Sequence, residues 1–340
     1  MDFRALFPVF ALMGALTGCI TRDPAAVVEP PGSRSISVGA TSACALGEAS
    51  GAACWGNGYF NPQVVDGLAG VETLAPGADG GAYAVHADGS VSAIDPSFDG
   101  SIRVAGLSNV SVLSAGRARA CAVHGDGTVT CWRVDGGSPQ GVVDDLAEVV
   151  TIAVAPRRDE ACAVMAAGDV RCLRWDDEDA EQLRIEPVAG LSDVVQVALG
   201  DGHACALQST GDVHCWGEGR DGQIGDGALE DRETPSLAGV AGAVWIAAGD
   251  RHTCARLDDG TVRCWGYDGL GQRGDGQPDA EPDPEPSAPV GLTDVVDLAL
   301  GGHSSCARTA GGVSCWGDNI DGQLGDGSRD PRSVPTHIDW

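Results

Sequence analysis

The chain has 340 residues and a formal net charge of -28, set by 49 acidic residues against 21 basic ones, all of them arginine. Phosphate contacts need a basic face, so this balance disfavours nucleic acid as a partner. The 50 glycines and 18 prolines punctuate every segment and leave no long stretch with a 3.6-residue hydrophobic period, which argues against a helical fold.

In chain order, the first element is an apolar run of twelve from Ala5 to Leu16, too short to span a bilayer and suited to a signal-peptide core. It ends in Leu16-Thr17-Gly18-Cys19, which looks like a bacterial lipobox with Cys19 as the lipidated new amino terminus. Because Asp2 offsets Arg4, the basic start is weak, and an ordinary secretory signal or an uncleaved segment stays open. The expected division is a signal peptide over 1–18, a lipidated cysteine with a flexible Pro- and Ala-rich tether over 19–35, and a folded body over 36–340.

The body is a repeat. Twelve of the thirteen cysteines form pairs, Cys44/Cys54, Cys121/Cys131, Cys162/Cys172, Cys205/Cys215, Cys254/Cys264 and Cys306/Cys315, ten or nine positions apart. Between the first and second pairs, "AYAVHADGSVSAI" places Tyr83 and Ala93 at the two cysteine positions, so one of seven units has lost both cysteines together. Joint loss is what a bonded pair predicts, because a lone thiol is a liability in an oxidising compartment. Between the cysteines, apolar and polar residues alternate around a Gly-containing tip such as Asp126-Gly127 or Asp259-Gly260. That is a β-hairpin, with its cysteines facing each other at bonding distance. Zinc is the competing reading, but its ligands sit two to four apart and converge in fours.

Each unit carries four apolar segments in the same order; in the fifth they are "VVQVALG", "ACAL", "VHCWG" and "TPSLAGV". Four short strands per period is the signature of a propeller blade. The expected fold is an all-β, seven-bladed β-propeller with four strands per blade and hairpin disulfides in six blades. Its repeats lie near 36–72, 73–110, 111–150, 151–193, 194–243, 244–294 and 295–340.

Three runs, "CWGEGRDGQIGDG" from Cys215, "CWGYDGLGQRGDG" from Cys264 and "CWGDNIDGQLGDG" from Cys315, follow the "GDGHAC" and "GDRHTC" strings at Gly200 and Gly249. Together they resemble the repeat of the regulator of chromosome condensation family, and the similarity extends from about Ile36 to the end. Units one to four lack the "GQLGDG" tail, and the fourth has "RCLRW" in place of "CWG". The resemblance implies a rigid disc that presents loops to another protein. The founding member's exchange activity on a nuclear GTPase does not carry over to an exported chain, whereas a secreted β-lactamase inhibitor caps its partner with the same architecture.

Candidate sites follow from what the repeat leaves over. His203, His252 and His303 fall in different blades and are expected to make structural hydrogen bonds. Trp55, Trp132, Trp216, Trp265 and Trp316 follow a cysteine and are expected to pack between blades, while Trp175, Trp245 and Trp340 are off this pattern and are the better surface-anchor candidates, with buried packing as the default reading. Asp221, Asp226, Asp321 and Asp326 in the Gly-rich tails are candidates for an electropositive partner or for weak calcium binding, although no EF-hand frame is present. No nucleophile elbow and no arginine cluster beside a tyrosine nucleophile appear, so a cell-envelope hydrolase is the distant alternative. The resulting expectation is a non-enzymatic, monomeric, exported scaffold without cofactor, attached to the membrane by its lipid only and binding an unknown protein. An inhibitor of a secreted enzyme is the specific variant.

Overall fold

The computed structural model describes residues 36–47, 51–77, 80–134, 139, 141–176, 182–279 and 281–339; the signal peptide, Cys19, the tether and Trp340 lie outside them. Seven antiparallel sheets follow one another along the chain, each built from consecutive strands. First strands begin at Ile36, Val71, Val110, Val149, Val194, Ala243 and Asp297. Six sheets have four strands; the third has three among the described residues, Val110–Ala115, Arg119–His124 and Val129–Arg133. Where its fourth strand is expected, the Val143 amide donates to the Val129 carbonyl at 2.7 Å.

Burial falls from the axis to the rim, and the sequence follows it. In blade 5 the first and second strands, Val194–Leu199 and His203–Gln208, are almost wholly buried, because both faces of each sheet pack on a neighbouring blade. The fourth strand, Arg232–Leu237, is largely solvated. Prolines inside strands fall mainly on these outer edges: Pro62, Pro187, Pro235, Pro284, Pro286 and Pro335. An edge strand tolerates a missing N–H that faces solvent, and the proline blocks pairing with another chain.

All six predicted disulfides form: Cys44–Cys54, Cys121–Cys131, Cys162–Cys172, Cys205–Cys215, Cys254–Cys264 and Cys306–Cys315. In each, the cysteines are direct partners across the hairpin, with Cα atoms 4.0 to 4.1 Å apart. Cys54 shows where such a bridge sits. It lies on the third strand of blade 1, Ala52–Gly56, opposite Cys44 on one side and Gln63 of the fourth strand on the other, and it is fully buried. Cys54 is therefore a core position shared with Leu74 and Phe98 of blade 2, and it forms no part of an exposed site. Tyr83 and Ala93 pair in the same register in blade 2. There Tyr83 meets Trp132 of blade 3 edge-on, with centroids 6.0 Å apart, so a phenol fills the space the bridge vacated.

The ring closes without a shared blade, since blade 1 is wholly amino-terminal and blade 7 wholly carboxy-terminal. Ile36 donates its amide to Asp297 Oδ2 at 3.0 Å, and Gly58 donates to the Asp321 carbonyl at 2.9 Å. Ile36, Val38 and Trp55 share one core cluster with Val313, Leu324 and Ile338. Closure is therefore a side-chain and loop interface with no strand shared between the two blades.

Candidate functional site

First and third strands of every blade run in the same direction, so the connections between strands 1 and 2 and between strands 3 and 4 emerge on one face. This face carries the three Gly-rich tails and surrounds one mouth of the central channel. The channel, about 360 Å³, is lined by first strands from all seven blades, chiefly by small or aliphatic residues such as Val38, Ala115, Val154, Val197 and Leu298. At the mouth Arg157 lies 2.7 Å from the buried Asp250 carboxylate, and Arg158 of blade 4 pairs with Glu218 of blade 5. Burial and the neighbouring Asp250 together push the Asp201 carboxyl above the usual range.

The tails are built by their own polar side chains. In blade 7 Asn319 Nδ2 donates to Asp326 Oδ1 at 3.0 Å and to the Asp330 carbonyl at 3.1 Å, while Asn319 Oδ1 accepts the Leu324 amide at 3.0 Å. Gln223, Gln272 and Gln323 each accept the amide two residues earlier, closing the turn. The carboxylate side chains of Asp226 and Asp326 are only 6% and 4% exposed and are held by arginines of the fourth strand: Arg232 Nε at 2.6 Å and Arg332 Nε at 2.7 Å. In blade 6 the charges have changed places. Arg273 occupies the position of Ile224 and Leu324, and its guanidinium reaches Asp275 at 2.9 Å and Asp283 at 2.6 Å, where the other blades have Arg232 and Arg332. Asp268, at the Asn319 position, is pushed up to about 6 by burial.

Each tail is also fastened to the next blade. Trp265 Nε1 donates to the Gln223 carbonyl at 2.9 Å, Trp316 to Gln272 at 2.8 Å and Trp55 to Gln323 at 2.9 Å. All three indoles are 0% exposed. The glycine two residues after each glutamine lies against the indole: a Cβ on Gly225, Gly274 or Gly325 would sit 2.6 to 2.7 Å from ring atoms, and all three have positive φ. The expectation that these tryptophans pack between blades is met, and the tail as their lid was not foreseen. The signal was there, because "GQxGDG" in blades 5, 6 and 7 precedes the tryptophans of blades 6, 7 and 1 around the ring.

His203 and His252 make the structural hydrogen bonds expected of them. His203 Nε2 meets Thr253 Oγ1 at 2.8 Å and His252 Nε2 meets Ser305 Oγ at 2.9 Å, each across a blade interface. Burial pushes His203 down to about 4 and His252 well below its ordinary value, so both are neutral imidazoles at neutral pH.

Several candidate binding residues take structural places instead. Trp175 and Trp245 are each 9% exposed, which removes them as surface anchors. Trp175 lies under the Arg119 guanidinium, 4.2 Å from its centroid, and Trp245 donates to the Leu298 carbonyl at 3.0 Å in the channel wall. Asp226 and Asp326 are occupied by their arginines. Asp221 lies 3.5 Å from Arg251 and stays partly exposed, as does Asp321. Among the described residues no group of three or more His, Cys, Asp or Glu is placed to hold a metal ion.

A second cavity, about 310 Å³, opens between blades 4 and 5, lined by Arg158, Arg174, Ala204, Trp216, Arg232 and Glu233 among others. It lies at one of the interfaces where the preceding blade has no Gly-rich tail.

Family models of the regulator of chromosome condensation (RCC1) repeat match residues 194–223 and 246–272, and residues 210–256, which are blades 5 and 6. No curated protein matches the chain. Among solved structures, the chain is similar to human WBSCR16, 19% identical over 83% of this chain and 85% of that one, with a TM-score of 0.68. It is also similar to Prp20p from Saccharomyces cerevisiae, 20% identical over 90% and 76% at a TM-score of 0.62. The ectodomain of the Physcomitrella patens receptor kinase CR4 is 19% identical over 83% and 72%, with a TM-score of 0.55. Likeness at such identities establishes the fold, and the matched models identify regulator of chromosome condensation repeats in blades 5 and 6 of this seven-bladed propeller.

Proposed function

We propose that this protein is an exported, lipid-anchored interaction scaffold that presents the loop-bearing face of its propeller to an electropositive protein partner. The observation that carries this reading is the fastening of three successive tails, each turn closed internally and sealed onto the next blade by an indole. Loops held this way are ordered before a partner arrives, so binding loses little conformational entropy. Their outward groups are accessible for contact: Ile320 is 66% exposed, and Glu230 and Glu218 project their carboxylates into solvent. The relative Prp20p binds Gsp1p and histones and has been solved with Kap60 bound, which supports a protein as the partner class.

A photo-crosslinking side chain at Ile320 tests the reading, with one at Ile102 on the outer edge of blade 2 as control. In intact cells Ile320 should yield a discrete protein adduct that weakens as salt rises, and Ile102 should not. Adducts equal at both positions, or absent at Ile320, would refute the loop face as the interaction surface. Anchoring has its own test. Cys19→Ser should release the protein from membranes with its unfolding midpoint unchanged, because lipid rather than protein surface supplies the attachment. Retention of the variant would overturn the lipid anchor and leave the scaffold reading standing.

A further inference from the structure

The cleft between blades 4 and 5 has the surfaces that a tail covers elsewhere, without the tail. At the blade 5–6 interface the incoming turn meets Trp265 through the Gln223 carbonyl and Gly225, and meets Gly266 on one side. It meets Thr253, whose hydroxyl donates to the same Gln223 carbonyl at 3.1 Å. A Cβ on Gly222 would lie 2.8 to 2.9 Å from Asp283 and Pro284 at the start of the fourth strand. The matching residues in blade 5 are Trp216, Gly217, Ala204, Arg232 and Glu233, and all five line the open cleft. Trp216 is only half-buried, and among the described residues no acceptor meets its Nε1. Blade 5 also has Ala204 where Thr253 and Ser305 use hydroxyls to bind a tail carbonyl.

Blade 4 has no tail of this kind to supply. Between Trp175 and Leu183 its sequence is "DDEDAEQ", seven residues without a glycine, against the fourteen residues 218–231 in blade 5. The tail's form depends on Gly222, Gly225 and Gly227, all at positive φ, and on the absence of a Cβ where Gly225 meets the indole.

We infer that this cleft is a docking site for a glycine-containing turn of a protein partner, which lays its glycine on Trp216 and presents a backbone carbonyl to Trp216 Nε1. The partner supplies in trans the element that blades 5, 6 and 7 supply in cis. Arg158, Arg174 and Arg232 at the walls, alternating with Glu218 and Glu233, orient the polar flanks of such a turn. The inference rests on the interaction role proposed above and names the chemistry of the partner segment.

The test uses the whole chain labelled with 5-fluorotryptophan, its Trp216 resonance assigned by Trp216→Phe, and a cyclised peptide carrying residues 217–231. The peptide should shift the Trp216 signal saturably and leave those of Trp55, Trp265 and Trp316 in place. A peptide with Gly225→Ala should bind at least tenfold more weakly. A chain whose residues 176–182 are replaced by residues 218–231 supplies the same turn in cis; its Trp216 signal should move the same way and no longer respond to peptide. No saturable shift up to millimolar peptide would overturn the inference. So would an equal response to the Gly225→Ala peptide or to free arginine, since a side chain and not a turn would then fill the cleft. Crosslinking from Ile320 reads the scaffold role separately, so the two can fail independently.

Discussion

The blade 5–6 interface and the blade 4–5 interface begin from the same strands and finish differently. In the first, a glycine turn closes over a fully buried indole and takes its N–H; in the second, Trp216 faces a cavity of about 310 Å³. Strands pack on strands at both, and the tail is a further contact made at the first. The three interfaces with tails include the closing one between blades 7 and 1, where no covalent continuity assists. The hairpin disulfides, Cys44–Cys54 of blade 1 and Cys306–Cys315 of blade 7 among them, lie within single blades and cannot substitute for that contact.

The largest expected effect distinguishes the two kinds of interface at one atom. Gly325→Ala places a methyl group inside the Trp55 ring contact at a left-handed backbone position, and strain plus overpacking should cost about 3 kcal/mol or more. Urea unfolding should show it as an early transition of the closing interface, reported by Trp55 exposure. A wild-type profile would mean that the tail is not what seals the ring.

Next comes loss of a staple. Replacing Cys121 and Cys131 together by alanine should cost about 2 to 3 kcal/mol, the entropy of a ten-residue loop in the unfolded chain. Blade 2 already lives without its bridge and uses the buried Tyr83 against Trp132, so Tyr83→Ala should open a cavity at a comparable cost of about 3 kcal/mol. If Tyr83→Ala were neutral, the phenol would not be the replacement for the bridge.

A smaller effect sharpens the comparison directly. Trp55→Phe leaves the Gln323 carbonyl without its indole donor, at a cost of about 1 to 2 kcal/mol, whereas Trp216→Phe loses no such bond and should stay within about 0.5 kcal/mol. Equal losses in thermal or urea midpoints would erase the distinction between covered and open interfaces.

The smallest effect near neutrality is in pH. His203, lowered to about 4 when folded, binds a proton more readily unfolded, so its share of stability is complete above its unfolded value of 6.5 and drains as pH falls toward 4. At pH 6 this amounts to about 1 kcal/mol, and His252 acts in the same direction. Asp268, raised to about 6, acts oppositely: its contribution is complete below 3.8 and is lost as pH rises through 6. His203→Gln should flatten the fall in urea midpoint between pH 7 and pH 5, and Asp268→Asn should steepen it. Identical slopes in all three proteins would show that neither group senses the interface.

Much of this was legible because the repeat averages away local ambiguity. Hairpin register, blade order and the six disulfides follow from cysteine spacing, since partners ten residues apart around a Gly tip have one way to face each other. The candidate acids were misjudged for a physical reason. Asp226 and Asp326 read as surface charge, yet their partners, Arg232 and Arg332, arrive from the fourth strand of the same blade after a loop whose path the linear pattern does not show. Blade 6 holds the same pairing with the signs moved to Arg273, Asp275 and Asp283, a swap meaningful only once the three positions are adjacent. Trp175 and Trp245 failed as anchors because departure from the repeat is not exposure: one is stacked under Arg119, the other built into the channel wall.

By itself, then, the sequence determined the number of blades, the hairpins and their bridges, because these depend on contacts within about 40 residues that recur with a fixed period. Only the tertiary structure decided what happens between blades: that a tail in one blade is the lid on the next blade's tryptophan, and that Trp216 instead lines a cavity. Such contacts join different repeats, across 42 to 268 positions in the chain, and no local period records which carbonyl an indole will find.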